Sequence, residues 1–299
     1  MKLLPKIDIH VHAVPEVMIY RQTGDSFPLP SMVRAMYDAH NIEKGVLLPD
    51  GPIPAGAEDI LSPREAWNMT KDFPETFGWW FAPVSPEISD NSPNTNLSHY
   101  LNQYKKFGAR GVGELSENRY FDDPFMLNLF KHCEMCDMPI IFHVGNLGGD
   151  YGIVDDLGFP RLEKVLGMFP KLKFLGHSQK FWAEIAPCTL EERNGYPTGK
   201  IAPGGRIPEL MRKYPNLCGD LSAGSGYNAI TRDPEFGYAF LEEFQDRLYF
   251  GTDICSNEDF DNDMLLLSDF LDDAVQKGKI SYTAYEKISR GNALDLLEK

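Results

Sequence analysis

The sequence predicts a single (β/α)₈ barrel over residues 1–299, with loop insertions at the C-terminal face and an extra helix at the C-terminal end. Three observations predict it. Eight short apolar runs occur, each followed by a helical pattern, as expected of parallel strands covered on both sides. A length of 299 residues suits eight such units in one domain. No glycine-rich phosphate loop follows the first run, which counts against a doubly wound open sheet. No repeat, low-complexity tract or linker divides the chain.

The first strand is Ile7-Asp8-Ile9-His10-Val11-His12. Its alternation puts Ile7, Ile9 and Val11 on one face and Asp8, His10 and His12 on the other. A Pro- and Gly-punctuated loop over 13–30 follows, too long for a simple turn, and Ser31 is placed to cap a helix running to about residue 40. Strand two is expected over 44–48, then a loop and a helix starting near Pro63. Strand three spans 78–84, and a helix over 97–106 leads to strand four, 109–114. A helix over 124–136 precedes strand five, 139–143, and one over 160–168 precedes strand six, 172–177. After a long loop and a helix over 208–213 comes strand seven, 217–221. The helix over 234–245 gives way to strand eight, 248–253. Two helices, from about 262 and about 281, close the chain.

Composition excludes several function classes. Hydrophobic residues make up 42% and charged residues 24%, as in ordinary globular proteins. With 29 Lys and Arg against 44 Asp and Glu, the formal charge is −15, which repels phosphate backbones and anionic lipid, so no nucleic acid or membrane partner is expected. No secretory signal or apolar run long enough to span a bilayer is visible. The five scattered cysteines suit a reducing cytoplasm, and the Cys133-x-x-Cys136 pair is read as helix packing. The expected partner is a small-molecule substrate; the sequence leaves a homo-oligomer open.

The polar residues at the strand ends carry the chemistry. His10 and His12 end strand one, Glu114 strand four, His143 strand five, His177 strand six and Asp253 strand eight. In a parallel barrel all these ends meet at one face. Two imidazoles side by side on a strand are a common way to present nitrogen to one metal ion, although hydrogen-bonded histidines on a wet sheet face give the same pattern. Four of the seven histidines sit at these positions; His40, His99 and His132 fall on helices, where solvated side chains are the ordinary reading.

Asp8-Ile9-His10-Val11-His12, Gly113-Glu114-Leu115, Ile141-Phe142-His143, Leu175-Gly176-His177-Ser178 and Phe250-Gly251-Thr252-Asp253 together resemble the amidohydrolase superfamily of metal-dependent barrels. Within it they resemble the amidohydrolase-related group that also contains aromatic and unsaturated-acid decarboxylases. The resemblance covers the whole length. It implies that His10, His12, His143 and Asp253 hold one catalytic divalent ion, zinc being expected, and that Asp253 also shuttles the proton. The ion would lower the pKa of water to about 7 and polarise a carbonyl. His177 would ligate a second ion in two-metal members, or contact substrate in one-metal members. Glu114 stands where two-metal members keep a bridging carboxylate; the alternative is a carboxylate bonded to Arg110. Asp8 would be a buried acceptor behind the ligands.

Around the site, the loop after strand six carries Phe181, Trp182, Glu184, Arg193 and Tyr196, and that after strand seven Ser222 and Tyr227. Trp182, Arg193 and Tyr227 are the expected substrate contacts, although such aromatics also form a loop's own small core. The implied activity is hydrolysis of an amide, ester or lactone bond in a small molecule, with one or two zinc ions. The alternative is nonoxidative decarboxylation of an aromatic or unsaturated carboxylic acid, and a non-catalytic binding barrel ranks last.

Overall fold

The computed structural model describes residues 2–49, 61–149 and 151–298. Eight parallel strands form one sheet: β1 (Lys6–Val11), β2 (Ile42–Leu47), β3 (Phe77–Ala82), β4 (Ala109–Leu115), β5 (Ile140–Phe142), β8 (Phe174–Gly176), β9 (Leu217–Asp220) and β10 (Leu248–Tyr249). Between β5 and β8 the chain adds a small two-stranded sheet, β6 (Val144–Gly145) and β7 (Ile153–Val154). Backbone bonds close the eight strands into a barrel. Ile9 N–H donates to Phe250 O at 3.0 Å, Asp253 N–H to His10 O at 2.8 Å, and His12 N–H to Ile254 O at 2.8 Å. Helices stand between successive strands, so the fold is a (β/α)₈ barrel.

Two cores hold it together. One lies between sheet and helices; the other fills the barrel interior with about one side chain per strand, among them Ile7, Ile9, Val46, Phe81, Ile141 and Leu175. The last helix, Asn292–Leu297, adds Ala293, Leu296 and Leu297 to that interior. It sits at the N-terminal end of the barrel, where Asn292 donates to the carbonyls of Gln245 and Leu248. Each leucine so buried contributes roughly 2 kcal/mol. With this end sealed, the C-terminal end is the open one.

The alternation expected for β1 fails in its second half. Ile7 and Ile9 point into the barrel, but Val11 belongs to the sheet–helix core, and the Asp8 carboxylate meets the Tyr37 hydroxyl of the first helix. The pairing of β1 with β2 slips between Asp8 and Val11, and that irregularity turns the face over. Ser31 does not cap the first helix, Pro30–Ala39: Leu29 holds that position, with Pro30 opening the first turn. The helix at Pro63 starts as expected, on a reciprocal cap between Ser62 and Glu65. The loop expected before it falls, over 50–60, outside the described residues. The helix Ala223–Thr231 was not expected, because two of its nine residues are glycine. Gly226 is needed there, since a Cβ would lie 2.2 Å from the Leu221 carbonyl oxygen. Cys133 and Cys136 are buried in the helix Pro124–Cys136 as free thiols. No described helix is long and apolar enough to cross a membrane.

Candidate metal centre

At the open end of the barrel the structure brings His10, His12, Glu114, His143, His177 and Asp253 together. His10 Nδ1 lies 2.7 Å from Asp220 Oδ2, and His12 Nδ1 lies 2.9 Å from the Leu48 carbonyl oxygen. A carboxylate and a carbonyl can only accept, so both Nδ1 atoms carry the proton and donate. Both Nε2 atoms are then lone-pair acceptors, and they face each other at 3.0 Å inside the protein. A proton or a cation between them relieves the repulsion of two lone pairs at that distance.

A carboxylate completes the group. Asp253 Oδ1 lies 3.4 Å from His10 Nε2 and 3.3 Å from His12 Nε2. Donors bound at 2.0–2.1 Å at the corners of a tetrahedron stand about 3.3 Å apart, so these three atoms fit one zinc-sized ion. Glu114 Oε2 approaches the same two nitrogens at 3.7 and 3.9 Å.

Glu114 looks both ways. Its Oε1 accepts from His143 Nδ1 at 2.9 Å and lies 3.8 Å from His177 Nε2. Asp253 repeats the pattern, with Oδ2 3.5 Å from His177 Nε2. Two donor groups result, one of His10, His12 and Asp253, the other of Glu114, His143 and His177. His143, expected in the first group, stands in the second. Glu114 owes nothing to Arg110, which lies by the opposite end of β4. Gly113 makes its placement feasible: φ is +137° there, and a Cβ would lie 2.6 Å from the Ile141 carbonyl oxygen.

Among the described residues, Glu114, Asp220 and Asp253 form ion pairs with imidazoles alone. Burial works against the Glu114 carboxylate, but His143, His10 and His177 outweigh it and hold its pKa at about 2. Burial likewise opposes Asp253, yet His10, His12 and His177 keep it well below the usual carboxylate range. The same charges act in reverse on His177. Burial pulls it down, while Asp253, Glu114 and Asp220 together lift it to about 9. Two buried carboxylates and the partly exposed Asp253 thus demand positive charge, which protons or metal ions can supply.

Asp220 is the site residue that sequence reasoning missed. It is fully buried at the end of β9, and besides holding His10 it accepts from Ser222 N–H at 3.0 Å. The Ser222 hydroxyl in turn meets His177 Nδ1 at 2.8 Å. The one available signal was its place at the end of the seventh strand, shared with the six residues above. Asp8 serves the barrel seam: it accepts from Thr252 N–H and Oγ1, His10 N–H and the Tyr37 hydroxyl, yet burial outweighs these bonds and raises it to about 6.

The expected substrate contacts are placed differently. Trp182 is buried, its indole N–H donating to the Asp220 carbonyl at 2.8 Å. Arg193 is buried too, paired with Glu184 at 2.7 Å and bonded to the Asp155 carbonyl. Both are spent on packing the loop. Tyr227 is half-buried against the outer core. Other rings stand nearer: exposed Tyr151 has its ring centre 4.4 Å from that of His143, and buried Phe27 lies 6.3 Å from His12.

No protein-family model and no curated protein matches this chain. Solved structures do. The chain is similar to 2,6-dihydroxybenzoate decarboxylase from Rhizobium, with a TM-score of 0.57 and 16% identity over 99% of each chain. It is similar to a dihydroxybenzoic acid decarboxylase from Polaromonas with bound manganese and 2-nitroresorcinol, at 0.55 and 16%, covering 99% of this chain and 97% of that one. An amidohydrolase from Burkholderia multivorans with bound zinc gives 0.59 and 12%, covering 98% of this chain and 99% of that one. The fold is theirs. It is a barrel shared, over the whole chain, by amidohydrolases and decarboxylases, in keeping with the resemblance of the strand-end motifs.

Proposed function

We propose that this chain is a metal-dependent hydrolase of the amidohydrolase superfamily, holding two divalent ions, zinc by preference, and cleaving an amide, ester or lactone bond in a small molecule. One observation carries the reading: each Glu114 oxygen faces a different group of imidazoles, as a bridging carboxylate between two ions does. His10, His12 and Asp253 would hold one ion, and His143 and His177 the other. Ions so held would activate water and polarise the scissile carbonyl.

The protein's own residues divide the remaining work. Asp253 is ionised, and its side chain is 21% exposed, facing the mouth. It is the base that takes the proton from attacking water, and Oδ2 is the atom from which that proton reaches the leaving group. His177 is held through Nδ1 by the Ser222 hydroxyl at 2.8 Å, which would leave its Nε2 for the second ion. Asp220 keeps His10 in the tautomer that leaves Nε2 free.

The second reading, nonoxidative decarboxylation of an aromatic or unsaturated acid, is favoured by the two decarboxylases whose folds match over the whole length. Turnover in isotopically labelled water separates the two. Metal-loaded protein is screened against amides, esters, lactones and aromatic acids. Hydrolysis predicts two products, one carrying a solvent oxygen; carbon dioxide release without that oxygen contradicts it. Asp253→Asn should lower kcat by about 10²–10⁴-fold, the range for general acid–base catalysis. Near wild-type turnover in that variant contradicts the proton role.

A further inference from the structure

Charge is distributed very unevenly over the barrel. The described parts of the segments that follow the eight strands (12–29, 48–62, 83–97, 116–123, 143–159, 177–205, 221–233 and 250–265) hold 18 Asp and Glu against 6 Lys and Arg. The remainder of the described chain holds 22 of each. The excess of negative charge therefore sits at the end of the barrel that carries the metal centre, and the other end and the flanks are balanced.

The few cations at this face are mostly committed. Arg21 pairs with Asp25, Arg119 with Glu87 and Asp123, and Arg193 with Glu184. Arg232 donates to the Pro197 carbonyl, and Lys180 is buried. Lys200 alone is exposed and has no partner among the described residues. Among the described residues no uncommitted arginine fork stands ready for a carboxylate or phosphate, the usual device for holding an anionic substrate. Exposed rings do stand there: Tyr20, Tyr151 and Tyr196, from the segments after β1, β5 and β8, with Tyr151 on the His143 ring. Such rings favour a flat apolar group and, by their faces, a cation.

From these two observations we infer that the substrate is a cationic small molecule, an ammonium or amidinium compound with an aromatic or similarly flat group, and that free carboxylates are disfavoured. The inference rests on the hydrolase reading of the same site and narrows its substrate class. A cleft of one sign of charge concentrates ligands of the other and raises their association rates by about 10–10³-fold. The effect is screened as the Debye length shrinks from about 30 Å at about 0.01 M salt to about 3 Å at about 1 M.

The test uses three monosubstituted benzenes that differ in charge on the zinc-loaded protein: benzyltrimethylammonium, benzyl alcohol and benzoate, with affinities read by calorimetry at both salt concentrations. Benzyltrimethylammonium cannot ligate a metal, so its binding reports the field of the cleft with its zinc in place. The expected order at low salt is cation over neutral over anion, with the cation at least tenfold tighter than benzoate and the gap closing at high salt. The triple variant Glu258→Gln, Asp261→Asn, Asp263→Asn, all exposed on the turns after β10, should lower cation affinity severalfold at low salt and leave zinc content unchanged. Benzoate binding as tightly as the cation at low salt overturns the inference, as does a triple variant with unaltered cation affinity. Zinc content is measured on the same samples. Loss of zinc there counts against the metal reading; zinc retained with a reversed probe order counts against the substrate class alone.

Discussion

Asp220→Asn is the perturbation whose consequence follows most closely from the geometry. Asp220 has two acceptor oxygens in use: Oδ2 receives the His10 Nδ1 proton at 2.7 Å, and Oδ1 receives Ser222 N–H at 3.0 Å. Asparagine has one acceptor and one NH₂, which can replace only one of the two. Either His10 loses its acceptor, or Ser222 loses its own and His10 keeps a neutral bond in place of a charge-assisted one. The ligand atoms themselves stay in place, so the number of ions per chain should not change. Partners behind metal-bound histidines are worth about 10–100-fold in affinity, or about 1.4–2.7 kcal/mol. Competition for zinc against a chromophoric chelator reads this directly, and denaturant midpoints of the metal-free proteins show whether the loss is one of folding instead. Unchanged zinc affinity in Asp220→Asn would refute the assignment of Asp220 as the residue that orients His10.

Two other predictions follow from buried charge. Glu117 is buried, and among the described residues no side chain bonds its carboxylate; burial raises its pKa from 4.5 to about 7, opposed by nearby backbone N–H groups and helped by Glu87. The folded protein then holds a proton that the unfolded chain has released, so stability present below about pH 4.5 is lost as pH rises to about 7, by about 3 kcal/mol. Glu117→Gln should remove that slope, so that variant and wild type diverge between about pH 5 and 7.5 in denaturant titrations; parallel profiles would count against it. The second concerns His177, lifted to about 9 by its carboxylate neighbours against the pull of burial. At pH 8 it must release its proton to bind metal, so filling its group should liberate about one proton per ion. Calorimetry in two buffers of different ionisation enthalpy measures this, and no release would mean that His177 does not ligate.

The barrel and the convergence of six strand-end residues were legible because each depends on a local signal: an apolar run ending in His, Glu or Asp. Asp220 ended such a run too, but its role depends on His10, which lies 210 residues away in sequence and 2.7 Å away in space. Division of the ligands into two groups was equally hidden, since the partner of His143 is fixed by how the Glu114 carboxylate turns. Trp182 and Arg193 were open to two readings, substrate contact or the loop's own core, because sequence does not show which way a long loop turns its side chains; folded, both are buried. The helix Ala223–Thr231 breaks propensity and stands on tertiary contacts. In β1, strict alternation misled: a slip of register, invisible in composition, lets Ile9 face the barrel interior although His10 beside it faces the metal centre.

Counting metal ions per chain, in wild type and Glu114→Gln, tests the central claim most directly. Both proteins are stripped, loaded with excess zinc, freed of unbound metal and analysed by mass spectrometry. A carboxylate that bridges two ions predicts two zinc ions in the wild type and a fall toward one in Glu114→Gln, where His10, His12 and Asp253 still hold the first. One ion in both proteins would contradict the two-metal centre, and with it the chief support for hydrolysis over decarboxylation.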